Sequence, residues 1–189
     1  WVLNFTWEVP FGRELSGAAG ALFRGWQISG IATLRSGSPL TVVVQANRSR
    51  SQWLPSLAPG VGQDRPSYAP GYGPQNAVLG LPDRWFDPAA FTLQEAGTFG
   101  NTGRGDFLGP NLRTVDLAFA KRSRALNETG SLEFRIEVFN IFDRANFGPP
   151  ALIAFAGNAD GEPPLSSFGR IRTTVTSARQ VQLGVRVAF

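Results

Sequence analysis

Hydrophobic and polar positions alternate with a period of two over five stretches of the chain, the pattern of strands whose two faces meet different surroundings. The last stretch, 180–189, is the clearest. Val181, Leu183, Val185, Val187 and Phe189 share one face, and Gln180, Gln182, Gly184, Arg186 and Ala188 share the other. From Ser131 to about Phe142, Leu132, Phe134, Ile136 and Val138 oppose Glu133, Arg135 and Glu137. From Asn111 to Lys121, Val115, Leu117 and Phe119 oppose Thr114, Asp116, Ala118 and Ala120. A stretch from Trp26 to about Val44 opens with Trp26, Ile28, Gly30, Ala32 and Leu34 against Gln27, Ser29 and Thr33. At the start, Trp1, Leu3, Phe5, Trp7 and Val9 alternate with Val2, Asn4, Thr6 and Glu8. Two places break the rule: Phe139-Asn140-Ile141 loses phase, and Ile31 sits among polar positions. They read as strand ends or inward packing.

The connections differ in length in a regular way. Leu126 to Gly130 is a tight turn and Pro10 to Gly25 a moderate, Gly-rich link, whereas 45–110 and 143–179 are long and rich in Pro, Gly, Ser and Asn. Short turns on one side and long loops on the other are the asymmetry of outer-membrane barrels, periplasmic and extracellular respectively. A structureless loop as long as 45–110 would be foreign to a compact soluble domain. With Phe189 at the periplasmic side, strand 180–189 descends and 131–142 ascends. The turn at 126–130 is then periplasmic and both long loops are extracellular.

A soluble β-sandwich also has alternating strands, so the chemistry of the faces matters. The polar face here is small or mixed (Gly184, Ala188, Ala118, Ala120, Ser29), with a few charges of both signs, and the apolar face is heavy in Phe and Trp. That favours lipid on the apolar side, with the sandwich as the competing reading. Composition agrees: charged residues are only 17%, against 22 Gly and 15 Phe, and no apolar run approaches the roughly 18–20 residues of a transmembrane helix. Any membrane crossing is by strands, and backbone pairing in lipid demands a closed sheet. Five strands cannot close around a lumen. The chain also lacks Met and opens in mid-strand at Trp1, so upstream barrel strands are expected. The predicted fold is therefore all-β, an antiparallel transmembrane β-barrel of which residues 1–189 form about five C-terminal strands, an open curved sheet with long extracellular loops.

The absence of Cys and His removes thiolate and imidazole metal sites and a Ser-His-Asp triad. No cofactor, metal or catalytic set is expected, and an enzyme is not. The net charge of +4 raises nucleic acid as a partner, but the arginines are scattered, and the one tight group, Lys121-Arg122-Ser-Arg124, reads as a solvated basic turn. No nucleic-acid partner is expected.

Four stretches resemble the closing strands of TonB-dependent receptors, in particular the Oar-like group. They are Trp26-Gln-Ile-Ser-Gly-Ile-Ala-Thr-Leu-Arg-Ser-Gly-Ser-Pro39, Phe99-Gly-Asn-Thr-Gly-Arg-Gly-Asp-Phe-Leu-Gly-Pro-Asn-Leu112, Phe134-Arg-Ile-Glu-Val-Phe-Asn-Ile-Phe-Asp-Arg-Ala-Asn-Phe-Gly148, and Phe168 through Thr173 and Ser177-Ala-Arg-Gln180 into the terminal strand. The resemblance spans nearly the whole chain, and the order and spacing of the motifs carry it. It implies an outer-membrane receptor that admits a bulky ligand, with a plug domain in its lumen and energy relayed from the inner-membrane TonB complex. Plug and TonB box would lie upstream. An adhesin or structural surface barrel without transport is the alternative, and a plug in the full gene would distinguish the two.

The resemblance also marks Val185, Val187 and Phe189 as an assembly signal read by the barrel-assembly machinery, with apolar side chains toward outer-membrane lipid and a terminal aromatic in the interface. Asp116, Glu133, Arg135, Glu137 and Arg186 fall on the lumen face, where they can pair across strands, contact a plug or simply be solvated. Trp53, Tyr68, Tyr72, Trp85 and Phe86 lie in the first long loop, suited to self-packing or to a ligand vestibule. Asp83, Asp87, Asp106 and Asp160 are too separated for a calcium motif, and the sequon Asn127-Glu-Thr129 sits in the predicted periplasmic turn.

Overall fold

The computed structural model describes residues 1–51, 64–124 and 130–188. Five long strands form one antiparallel sheet: β1 (Val2–Glu8), β2 (Trp26–Arg35), β3 (Leu112–Arg124), β4 (Ser131–Phe139) and β5 (Gln180–Ala188). They pair in chain order, β1-β2-β3-β4-β5, as an open antiparallel sheet. The tight turn expected at 126–130 falls almost wholly outside the described residues, as do Trp53, the sequon and Phe189.

Register decides whether five separate alternations make one surface, because a slip of one residue would send a strand's apolar set to the opposite face. Here the sets coincide. Phe5 faces Gly30, Gly30 faces Leu117, Leu117 faces Val138 and Val138 faces Val181. The other face aligns in the same way, through Thr6, Ser29, Ala118, Glu137 and Gln182. Among the described residues nothing covers the apolar face of β5, where Val181, Leu183, Val185 and Val187 are 60%, 70%, 67% and 62% exposed.

Gly30 is the one place on this sheet where a missing side chain is required. A Cβ there would lie 2.7 Å from both the Phe5 ring and the Leu117 side chain, which close over the glycine from either side. An aromatic laid across a strand glycine restores the cover that the glycine cannot provide. Gly30→Val should therefore destabilise the folded protein by about 1–3 kcal/mol, the usual cost of overpacking. Its thermal midpoint in detergent, followed by heat-modifiable gel migration, should fall; a midpoint equal to wild type would show that Phe5 moves aside freely.

Three local expectations need correction. The stretch Trp26 to Val44 is not one strand: β2 ends at Arg35, and Val42 and Val44, both fully buried, belong to a different hydrophobic core. The strand from Ser131 ends at Phe139, not Phe142, because Asn140 takes a left-handed conformation with φ 49°. The link Pro10–Gly25 contains a short helix, α1 (Gly17–Phe23), whose Ala-rich sequence favours helix and whose end is tied by the Arg24 amide donating to the Gly20 carbonyl.

The chain divides into two compact units. The sheet unit comprises Trp1–Arg35, Leu112–Asn146 and Thr176–Phe189; the insertion unit comprises Ser36–Asn111 and Phe147–Val175. The insertion unit contains short strand pairs: Pro39–Leu40 with Phe107–Leu108, Ser67–Tyr68 with Phe91–Thr92, Val78–Leu81 with Arg84–Phe86, and Val43–Val44 parallel to Ile153–Phe155. Its core gathers Leu40, Val42, Val44, Phe86, Phe91, Phe107, Phe155 and Phe168 from both insertions. Phe86 stacks on Phe168 at 5.3 Å and 7°, and meets Phe107 edge-on at 5.2 Å. The long loops thus fold against each other around a buried aromatic centre.

Polar ties reinforce that centre. The Arg48 side chain, 8% exposed, pairs with Asp160 and donates to the carbonyls of Gln94 and Gly157, joining the first insertion to the second. Asp64 is buried and accepts from the Ser49 amide at 2.6 Å and the Ser49 hydroxyl at 2.7 Å. Hydrogen-bonded in this way, buried polar groups avoid the full cost of leaving water.

Candidate functional site

The polar face of the sheet is the surface whose chemistry is least explained by folding. A groove of about 580 Å³ opens in the sheet unit, lined by Asn4, Thr6, Ser29, Asp116, Arg135 and Glu137 together with Ile31 and Phe139. Ile31, the apparent misfit of the sequence pattern, therefore belongs to the groove. Alternation places each of these side chains: they are even-numbered on β1 and β3, odd-numbered on β2 and β4, and the register brings them side by side.

The charges on this face are arranged in pairs. Arg122 and Glu133 lie directly opposite each other, with the guanidinium Nε donating to the carboxylate at 2.7 Å. On its other side Glu133 faces Arg186 of β5 in the register. Arg135 and Glu137, two residues apart on one strand face, pair at 3.1 Å. The basic group 121–124 is thus no solvated turn: it lies in β3, whose alternation sends Arg122 to Glu133 and Lys121 to the apolar face, over the Trp26 ring at 5.7 Å. Such a surface can offer donors and acceptors of both signs to a hydrophilic partner.

Asp116 has a further task. Its carboxylate accepts the Asn140 amide at 2.7 Å, which terminates β4. The Asn140 side chain, 5% exposed, donates to the carbonyls of Arg144 and Ser177 and accepts the Arg144 amide. Asn146 is fully buried; it accepts the Arg113 amide at 2.8 Å and donates to the Arg113 carbonyl and the Thr176 hydroxyl. Asp143 accepts the Arg179 amide at 2.8 Å. Residues 140–146 thus fasten the ends of β3, β4 and β5 where the chain leaves and re-enters the sheet. Sequence reasoning missed Asn140 and Asn146; the available signal was two asparagines inside a Phe-rich stretch at the point where phase was lost. Asn146→Ala would leave the Arg113 backbone groups unpaired, at about 1–3 kcal/mol. A lower detergent unfolding midpoint is expected, with faster hydrogen exchange at the Arg113 amide, and an unchanged exchange rate there would refute the assignment.

The loop aromatics are spent on packing. Phe86 is buried in the insertion core, and Tyr68, Tyr72 and Trp85 lie half-buried against it. Burial, reinforced by the Asp106 carboxylate that accepts its hydrogen bond at 3.0 Å, holds the Tyr68 phenol well above the ordinary tyrosine range, so it remains a donor. The same carboxylate accepts the Gly103 amide, and Asn101 accepts the Tyr68 amide at 2.7 Å. The Thr102 hydroxyl and amide both donate to the Pro66 carbonyl. The motif 99–112 is in this way a clamp within the insertion unit. Asp87 caps the short helical turn Pro88–Ala90, and Asp160 pairs with Arg48. Among the described residues, no group of three or more acidic side chains converges as a metal site.

A five-stranded antiparallel meander with one bare apolar face and one grooved polar face is a section of transmembrane barrel wall. Comparison with known families agrees: the model of the outer membrane beta barrel domain matches residues 1–182, and the chain belongs to that family. The protein is accordingly an outer-membrane protein. Neither curated proteins nor solved structures gave a match.

Proposed function

We propose that the protein is a TonB-dependent receptor of the Oar-like group, a transporter and not an enzyme, that brings a bulky ligand across the outer membrane. The observation that carries this reading is the polar face, where paired charges and hydroxyls line a groove on the side away from lipid. Such a wall suits a hydrated plug domain, whose polar side chains would meet Arg135, Glu137 and Asp116. The motifs resembling closing receptor strands support it. The TonB complex would supply the energy for passage of the ligand. Val185, Val187 and Phe189 would serve the barrel-assembly machinery.

A single cysteine tests this. The chain has none of its own, so Ser29→Cys puts one thiol in the groove of this domain. In intact cells, labelling by a membrane-impermeant maleimide should be several-fold faster with the TonB complex active than with it deleted, because plug movement uncovers the wall. Equal labelling in both strains would favour the surface adhesin or structural barrel.

A further inference from the structure

The groove on the polar face carries more acceptors than its own donors use. Three of its side chains are charged: Asp116, Arg135 and Glu137. Arg135 is committed, its Nε paired with Oε1 of Glu137 at 3.1 Å. Oδ1 of Asp116 accepts the Asn140 amide at 2.7 Å. Oδ2 of Asp116 and Oε2 of Glu137 have no partner among the described residues. The groove thus holds one net negative charge and two carboxylate oxygens open to a donor from outside.

Register sets the spacing of these carboxylates. Asp116 pairs with Ile31 of β2, and Ala118, two residues on, pairs with Glu137 of β4. Asp116 and Glu137 are therefore diagonal neighbours on adjacent strands, a separation of about 7–8 Å. A guanidinium has donors on both sides of a planar fork, so it can sit in such a gap and reach an oxygen at either end. Two apolar side chains flank the pair: Ile31, 49% exposed, and Phe139, 36% exposed at the end of β4. On a face that is otherwise polar, they offer contact to the apolar stem of a cationic side chain, and the Phe139 ring offers a π face to its charge. Asn4, Thr6 and Ser29 complete the lining with amide and hydroxyl groups, which suit peptide N–H and C=O partners. The volume of about 580 Å³ falls in the range of about 300–1,000 Å³ typical of small-ligand sites.

We infer that the ligand admitted past this wall is a basic peptide, with the guanidinium of an arginine side chain between Asp116 and Glu137 and its stem against Ile31 and Phe139. Hydrogen bonds between ionised partners are the strong ones, and they favour a cation over a neutral side chain of the same shape. Such a ligand presupposes the receptor role proposed above: the carboxylates that a plug would cover at rest are those the ligand meets once the plug moves.

The test uses intact cells carrying the full-length protein with Ser29→Cys, whose thiol lies in the groove. Labelling by a membrane-impermeant maleimide is timed with the TonB complex active, in the presence of N-acetyl-Phe-Arg-amide, of the same peptide with citrulline or glutamate in place of arginine, or of spermidine. The arginine peptide should slow labelling at least about fivefold at a concentration where the other three do not. Asp116→Asn with Glu137→Gln should abolish that protection, whereas Glu133→Gln, which removes a carboxylate of the same face outside the groove, should keep it. Equal protection by the arginine and citrulline peptides would overturn the proposal, as would protection that survives in the Asp116→Asn, Glu137→Gln variant. Equal protection by spermidine would overturn it too, leaving a bare cation site. If the double variant fails to show heat-modifiable folding, Ile31→Lys decides, since it seats a tethered ammonium opposite Asp116 and spares both carboxylates. Undiminished protection in Ile31→Lys would overturn the proposal, and its loss would support it. A labelling rate that depends on the TonB complex but that no peptide slows would overturn the basic-peptide ligand alone. A rate independent of the TonB complex that the arginine peptide still slows would overturn transport and support the peptide site.

Discussion

Replacing Val185 and Val187 by Arg in the intact protein should sharply reduce its folded level in the outer membrane, while Gln182→Arg should leave it near wild type. All three substitutions add the same charge to the same strand within six residues. Only the face differs: Val185 and Val187 lie opposite Phe134 and Leu132 on the apolar side, and Gln182 lies opposite Glu137 on the polar side. A cation on the lipid face of a barrel costs up to about 2–4 kcal/mol at mid-membrane, less toward the interface. Stability of ordinary proteins totals only about 5–15 kcal/mol, so two such penalties are severe. The polar face already carries Arg186 two positions beyond Gly184, opposite Glu133. Outer-membrane fractions resolved by heat-modifiable migration measure the effect. Equal folded levels for the valine double variant and Gln182→Arg would mean that the faces are assigned wrongly.

Phe86→Ala should collapse the insertion unit and leave the sheet intact. Phe86 is fully buried, stacked on Phe168 from the second insertion, and meets Phe91 and Phe107 edge-on. Truncating a buried Phe to Ala costs about 3–5 kcal/mol through lost transfer energy and the cavity left behind. Ring pairs add about 0.5–1.5 kcal/mol each beyond burial. The unit draws its stability from a small aromatic core, so such a loss is a large share of it. Limited proteolysis of the purified protein should cut within 36–111 at least tenfold faster than in wild type, while migration of the heat-modifiable sheet band is retained. Unchanged protease resistance would show that the insertions are held by something other than their ring cluster.

The five strands and their two faces were legible in the sequence because a barrel wall preserves the local rule. Side chains alternate strictly, one side meets lipid along its whole length, and no covering layer imposes a second pattern. The alternation of Val181 to Val187 against Gln180 to Arg186 is enough to assign both faces of β5, and all-β architecture with strands paired in chain order follows from five such segments. The same rule misled where apolar alternation continued past a strand's end. Val42 and Val44 look like lipid-facing positions of a longer β2, yet both are buried in the insertion core. Beyond the end of β2 the chain meets a remote segment, and Gly37 runs so close to Gly109 that a Cβ would overlap that residue's carbonyl oxygen. No local pattern records such an approach.

The insertions show the limit from the other side. The stretches 45–110 and 143–179, rich in Pro, Gly, Ser and Asn, read as loops, and the core of the insertion unit exists only once Leu40, Phe86, Phe107 and Phe168 are assembled from distant positions. Asn140 and Asn146 gain their meaning when Asp116, Arg113 and Thr176 arrive beside them, and the partners of Glu133 depend on a register that composition cannot supply. Period-two side-chain direction is set by each residue's own backbone, so sequence alone determined which positions share the apolar face. Which strand stops where, which carboxylate meets which arginine and which phenylalanines share a core depend on contacts between residues far apart in the chain, and those the tertiary structure alone decided.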